Sequence, residues 1–125
     1  MIDRTLPSGK ILHITMASFR EANALQKAIA KETKKLEVKG DLDLNYEFMK
    51  NLLCSALASD EIEAALKPCL KRCLYGDFKI DENTFEDVEA RQDYFTVCFE
   101  VIKENLLPFV KGLSFQLKDL FQEVA

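Results

Sequence analysis

The feature that most constrains the fold is an apolar stripe with helical spacing in the last third of the chain. Apolar residues recur there at intervals of three, four and seven positions, which is the pattern of amphipathic α-helices. A helix of this kind buries its apolar face in its own core or against a partner. The stripe comprises Phe85, Val88, Phe95, Cys98, Phe99, Ile102, Phe109, Val110, Leu113, Leu117, Leu120, Phe121 and Val124.

Length and composition indicate one globular domain over residues 1–125. A chain of 125 residues can bury roughly two thirds of its unfolded surface in a single core. Apolar residues make up 48% and charged residues 30%, which argues against disorder, and no apolar run reaches the ~20 residues of a membrane span. The formal net charge of −4 opposes attraction to phosphate backbones. We therefore expect neither a nucleic-acid nor a membrane partner.

The first segment, residues 1–16, predicts a β-hairpin. Two short extended runs flank a turn of Pro7, Ser8 and Gly9, and glycine can adopt the positive φ that such turns need. An isolated hairpin is only marginally stable, so we expect it to pack on helices.

Capping signals predict helices in the next part of the chain. Ser18 and Glu21 have capping-box spacing and start a helix that ends near Leu36. Asn45 is a candidate cap for a second helix, and Ser59 is expected to start a third. The third helix is expected to end at Gly76, with a kink or short break at Pro68.

Two helices are expected after Gly76. Thr84 is the predicted cap of the longest helix, which should end near Asn105. Pro108 disfavours helical geometry in the residue before it, so we expect a bend or gap there, followed by a last helix. The predicted fold is mainly α, a small domain of about five helices with an N-terminal hairpin. It divides into the hairpin (1–16), a helical core (18–105) and a C-terminal helix (108–124).

The four cysteines occupy apolar positions of predicted helices, which favours buried, reduced thiols. They are Cys54, Cys69, Cys73 and Cys98. Cys69 and Cys73 are one helical turn apart, so a structural zinc site is the alternative, but Cys-x3-Cys is not the usual knuckle spacing.

The sequence lacks the motifs of an active site. It has no glycine-rich phosphate loop, no His-Glu-x-x-His helix and no Gly-x-Ser-x-Gly elbow, and its one histidine, His13, lies in a predicted strand without an obvious acidic companion. Acidic pairs such as Asp41 with Asp43 are flanked by turn signals and are typical of solvated turns. We therefore predict that the protein is not an enzyme and uses no cofactor or metal.

Binding through the last helix is the remaining functional hypothesis. Two interpretations stay open: the helix packs on its own domain, or it is an arm that docks on another protein. The candidate partner-binding residues are Phe109, Leu113, Leu117, Leu120 and Phe121 on one side of the helix and Phe115 on its flank.

Several segments resemble the tail assembly chaperones of long-tailed bacteriophages with non-contractile tails. They are Leu6-Pro7-Ser8-Gly9-Lys10, the helix from Phe19 to Ala30, Pro68-Cys69-Leu70-x-x-Cys73-Leu74-Tyr75, Phe85-Glu86, Glu89-Ala90-Arg91-x-Asp93-Tyr94-Phe95 and Glu104-Asn105-Leu106-Leu107-Pro108-Phe109. The resemblance implies a mostly helical protein that acts in the cytoplasm of the infected bacterial host and is absent from the finished virion. Such proteins bind the tape-measure protein and help recruit tail-tube subunits, and many also have a longer frameshift product.

This resemblance leaves two functional classes to be separated. A chaperone would self-associate as a homo-oligomer or bind its client in many copies. The alternative is a small acidic helical adaptor or regulator, antitoxin-like or a host-takeover protein, that binds a single protein partner in a fixed small complex.

Overall fold

The fold combines an antiparallel sheet with helices. The computed structural model describes residues 2–35, 54 and 58–124, with side chains described in 2–31, 54 and 58–109. The strands are β1 (Ile2–Thr5), β2 (Ile11–Ile14), β3 (Leu74–Tyr75) and β4 (Phe78–Lys79). The helices are α1 (Phe19–Lys35), α2 (Asp60–Leu70) and α3 (Val88–Val124).

The predicted fold class is wrong, because the described residues form three helices and a four-stranded antiparallel sheet rather than a mainly α domain of about five helices. The predicted hairpin is present as β1 and β2, with Ile2 opposite Ile14, and Gly9 has a φ of 94°. It is one half of a sheet in the order β1-β2-β3-β4. The helix predicted after Asn45 lies outside the described residues.

The two strands that the sequence analysis missed lie where the third helix was expected to continue. Helix α2 ends at Leu70 instead of Gly76, and Tyr75 pairs with Leu12 of β2. Pro68 in the last turn removes one helical hydrogen bond, which favours an early end. Gly76 has a φ of 62° and lets the chain turn into β4.

Two predicted caps are confirmed. The Glu21 backbone N–H donates to Ser18 Oγ at 3.2 Å, and the Ser18 backbone N–H donates to Glu21 Oε1 at 3.2 Å, which completes the capping box of α1. The Ser59 side chain accepts a hydrogen bond from the backbone of Ile62 at the start of α2.

The end of the chain forms one helix rather than two. Helix α3 has 37 residues and continues through Pro108, so the predicted gap and the separate last helix are wrong. Proline in a helix interior costs about 3 kcal/mol, mainly through one lost hydrogen bond and local crowding, and the many other helical contacts outweigh this local cost. Thr84 is not the cap, because its Oγ1 accepts from the backbone of Asp81 at 2.8 Å within the preceding turn.

The core lies between the inner face of the sheet and one side of each helix. Its main residues are Leu12, Ile14 and Tyr75 from the sheet, Ala22, Leu25 and Ile29 from α1, Ile62, Leu66 and Cys69 from α2, and Ala90, Val97, Cys98, Val101 and Ile102 from α3. None of the described helices is long and apolar enough to cross a membrane.

Candidate protein-binding face of the long helix

Helix α3 has a core face that carries small apolar and polar side chains. Between positions 90 and 105 this face places Ala90, Val97, Cys98, Val101 and Ile102 in the core. Three polar residues, Asp93, Glu104 and Asn105, are buried on the same side. Buried polar side chains are costly unless they are hydrogen-bonded, so their partners define how α3 is held.

Asp93 joins α3 to both hairpins of the sheet. Its side chain is 0% exposed and accepts hydrogen bonds from the backbone N–H of Ser8 at 3.1 Å, from the Ser8 hydroxyl and from the Tyr75 hydroxyl at 2.6 Å. Burial alone would raise the pKa of Asp93, but the hydrogen bonds from Ser8 and Tyr75 outweigh it and hold the pKa below its ordinary value. Asp93 is therefore a buried anion at neutral pH.

Tyr75 is the protonated partner of that carboxylate. Burial, followed by the hydrogen bond to Asp93, raises the pKa of Tyr75 to about 12. The Lys10 ammonium lies 5.0 Å from the centre of the Tyr75 ring, within the range of a cation–π interaction.

Asn105 holds α3 at the other end of the core. Its side chain is 1% exposed, its Oδ1 accepts from the backbone N–H of Ala17 at 2.9 Å, and its amide donates to the Val101 carbonyl at 2.8 Å. Next to Asn105 in the sequence, Glu104 lies 2.8 Å from Arg4 of β1, which also approaches Glu100 at 3.3 Å. These contacts fasten α3 to β1 and to the segment before α1.

A second apolar stripe of α3 is partly exposed. We call it the outer stripe, and it consists of Val88, Phe95, Phe99 and Phe109. Val88 is 69% and Phe95 is 56% exposed, while Phe99 and Phe109 are half-buried. Intervals of seven, four and ten positions place these residues on one side of the helix. The same side also carries Ile102, which is buried in the core, and Leu106, which packs against the core, so exposure varies along the helix.

Aromatic contacts support the outer stripe near both of its ends. The Phe95 ring lies 5.9 Å from Tyr94, and the Tyr94 ring lies 4.9 Å from Phe85. At the other end, Phe109 contacts Phe19 of α1 with ring centres 6.1 Å apart. Phe19 is itself 73% exposed and extends the apolar surface onto α1.

The structure places every predicted partner-binding residue in α3. Phe109 lies in the outer stripe, whereas the side chains of Leu113, Phe115, Leu117, Leu120 and Phe121 are outside the described part. The sequence analysis missed Phe19, which it placed only in the first turn of a helix. The sequence could have indicated Phe19, because it is a large apolar residue directly after the cap. It does not belong to the buried face of α1, which carries Ala22, Leu25 and Ile29.

The cysteines are reduced, and three of them are buried as predicted, but Cys54 is exposed. Burial raises the pKa of Cys69 and of Cys98 to about 11, so both remain thiols at neutral pH. The Cys73 thiol lies 3.4 Å from the Cys69 carbonyl oxygen and donates to it. Among the described residues no group of three or more His, Cys, Asp and Glu side chains is arranged to hold a metal ion.

His13 has an acidic neighbour, contrary to the expectation from the sequence. Its Nδ1 lies 2.7 Å from the Asp3 carboxylate on the adjacent strand β1, so it has an acidic companion that the sequence analysis did not identify. Its side chain is partly exposed.

The described residues form an α+β domain whose longest helix leaves Val88 and Phe95 exposed, and exposed apolar surface of this kind is typical of proteins that bind other proteins. The chain belongs to a phage tail assembly chaperone family. The family model, described as phage tail assembly chaperone protein TAC, matches residues 9–118, from just before β2 through most of α3. No curated protein and no solved structure showed a match to the chain.

Proposed function

We propose that this protein binds the tape-measure protein during tail assembly, helps recruit tail-tube subunits and is left out of the mature virion. Family membership supports the role in tail assembly. The observation that carries the proposal is the exposure of Phe95 and Val88 on the outer stripe. A client with exposed apolar heptads needs a partner surface that covers them, and helices commonly bind through such apolar faces.

The binding surface extends along α3 in this proposal. The helix backbone continues to Val124, and apolar residues continue beyond Phe109 at intervals of three and four, at Leu113, Leu117, Leu120 and Val124. Residues 108–124 would then be a partner-binding arm that adds to the outer stripe. The protein would act in the cytoplasm of the infected host, where tails are assembled.

Substitutions on the outer stripe test the proposal. The chaperone is co-expressed with its tape-measure protein, and the complex is captured through a tag on the client. F95D places a charge on the exposed stripe and should reduce capture at least about tenfold, the effect of losing 1.4 kcal/mol of binding energy. L117D/F121D tests the arm in the same way.

F78D is the matched control, because Phe78 is 78% exposed but lies on β4, away from α3. F78D should be captured as well as the unmodified protein. If F95D and L117D/F121D both fold, by circular dichroism, and are captured fully, neither surface binds the client and the proposal is rejected.

A further inference from the structure

We infer that the outer stripe takes an amphipathic helix whose apolar seam is flanked by acidic residues. The inference rests on the proposed function for the identity of that helix, which is then a segment of the tape-measure protein. It adds the charge of the partner, because basic side chains border the stripe although the whole chain has a formal net charge of −4.

Two basic residues of α3 lie at either end of the phenylalanine pair in the outer stripe. Arg91, Phe95, Phe99 and Lys103 follow one another at intervals of four, so they form a single row along the helix surface. The Lys103 ammonium lies 5.7 Å from the centre of the Phe99 ring, and the Arg91 side chain is 63% exposed. A partner that covers the two phenylalanines therefore comes within reach of a cation at each end of the row.

Helix α1 brings further basic residues to the edge of the same apolar surface. Phe19 in its first turn contacts Phe109 of the outer stripe, with ring centres 6.1 Å apart. The next residue, Arg20, is exposed, as are Lys27 and Lys31. Intervals of seven and four positions place these three on one side of α1. We call them the basic side of α1.

Helix α1 runs alongside α3 in the opposite direction. The segment just before α1 donates a hydrogen bond to Asn105, near the end of the described side chains of α3. Towards the other end of α1, Lys31 approaches Glu61 in the first turn of α2 at 3.9 Å. Burial raises the pKa of Tyr94 to about 12, and the charge of Glu63 in that same turn adds to the effect, so this part of α3 also lies near the start of α2. The basic side of α1 therefore extends along the outer stripe.

These cations are only weakly neutralised by the protein itself. Within the described part of the chain, Arg20 and Lys27 have no ion-pair partner. Lys103 lies 3.3 Å from Glu100, but that carboxylate is shared with a residue of β1. The exposed pair of Lys31 with its glutamate is of the kind that contributes little. The border of the stripe therefore favours acidic groups on a partner and disfavours basic ones.

The shape of the surface favours a helix as the carrier of those acidic groups. The outer stripe extends over 21 positions, from Val88 to Phe109, or about 32 Å along the helix axis. A partner helix of about three heptads has this length and presents an apolar seam between charged flanks. A nucleic acid fits less well, because its charge continues beyond the basic border and meets a molecule of net negative charge.

Two labelled helical peptides test the inference by fluorescence anisotropy. Both have leucine at positions a and d of about four heptads, and one has glutamate at positions e and g where the other has lysine. Like charges at e and g keep each peptide from pairing with itself. We expect the unmodified protein to bind the glutamate peptide at least about tenfold more tightly than the lysine peptide. The difference should shrink as added salt screens the charges.

Charge reversal on α1 should reduce this preference. R20E/K27E replaces two exposed cations without breaking an ion pair within the described part, and it should weaken binding of the glutamate peptide about tenfold. K71E/K79E is the matched control. It changes the net charge equally, but Lys71 follows α2 and Lys79 lies on β4. It should change this affinity by no more than about twofold. F95D should also weaken binding of the glutamate peptide, because it alters the apolar stripe.

Equal affinities of the unmodified protein for the two peptides, or no binding of either, would overturn the inference. An equal loss of glutamate-peptide binding in R20E/K27E and K71E/K79E, with both variants folded by circular dichroism, would also overturn it, since net charge alone would explain the preference. Displacement of the glutamate peptide by an oligouridylate of equal charge would assign the surface to nucleic acid instead.

Light scattering on the protein alone tests a second copy as the occupant. If R20E/K27E loses self-association but keeps its peptide affinity, the basic side of α1 serves contact between copies and the inference is rejected. Failure of the unmodified protein to capture the tape-measure protein would reject the proposed function, while the peptide affinities would still decide which charge the stripe prefers in a helix. Capture of the tape-measure protein without that preference would reject the inference alone.

Discussion

Asp93 shows how a single residue can connect the whole domain. It lies on α3, and its three hydrogen bonds reach the turn between β1 and β2 and strand β3. The sequence placed Asp93 within a family resemblance but gave no reason to bury it, because an acidic residue near a helix start is typical of a solvated position. Its donors are 85 and 18 positions away, so only the tertiary fold brings them together.

Acid should weaken the protein through this residue. The ordinary pKa of aspartate is 3.8, and the folded value is lower. The carboxylate therefore contributes stability that is fully present above the unfolded pKa and is lost as pH falls through the folded pKa. We expect the free energy of unfolding, from urea titrations, to fall below about pH 4 in the unmodified protein.

D93N should remove much of this pH dependence. It should also lower the free energy of unfolding by on the order of 1–3 kcal/mol at neutral pH, because a charged hydrogen-bond acceptor is lost. D77N is the control, because Asp77 is exposed in the turn between β3 and β4. Equal pH profiles for D93N and the unmodified protein would show that Asp93 does not carry the effect.

At the level of elements, the sequence predicted those parts whose signals are local. The hairpin turn and the caps at Ser18 and Ser59 depend on neighbouring residues, and all three are confirmed. Strand β3 was missed because Leu74 and Tyr75 continue the apolar spacing of α2, and two-residue strands show no alternation. The prediction of a gap at Pro108 was wrong because the preference of one proline against helical geometry is outweighed when the helix on both sides is stable.

Helix α3 should become more stable when its proline is replaced. P108A restores a backbone N–H that can donate to the carbonyl of Glu104, and a helix-interior proline is about 3 kcal/mol less favourable than alanine. We expect more helical signal at 222 nm and a higher melting temperature. G112A, which relieves a cost of about 1 kcal/mol in the same helix, should give a smaller change in the same direction.

A fall in stability for P108A with a gain for G112A would contradict the expected cost of the proline. It would show that a bend at position 108 is needed for the packing of α3.

The whole molecule has two unlike sides. On one side α3 is fastened to β1, to the segment before α1 and to the turn of the first hairpin; on the other it presents the outer stripe next to Phe19. The sequence could predict that α3 is apolar on one face, but not which apolar residues the core would take. That choice depends on how the sheet and α1 pack along the helix, and their residues are distant from α3 in the chain.

Copy number separates a tail assembly chaperone acting along its client from an adaptor with one partner site. If the outer stripe and the arm bind apolar heptads, a longer client presents more binding segments and takes up more copies. Light scattering on complexes with two tape-measure fragments, one twice the length of the other, measures this directly, because each copy adds 14.3 kDa. We expect the number of bound copies to rise about in proportion to fragment length, as for independent repeated sites. F95D should lower the number on both fragments and F78D should not. One copy on both fragments would instead identify a single recognition site, and the chaperone would then bind its client as an adaptor does.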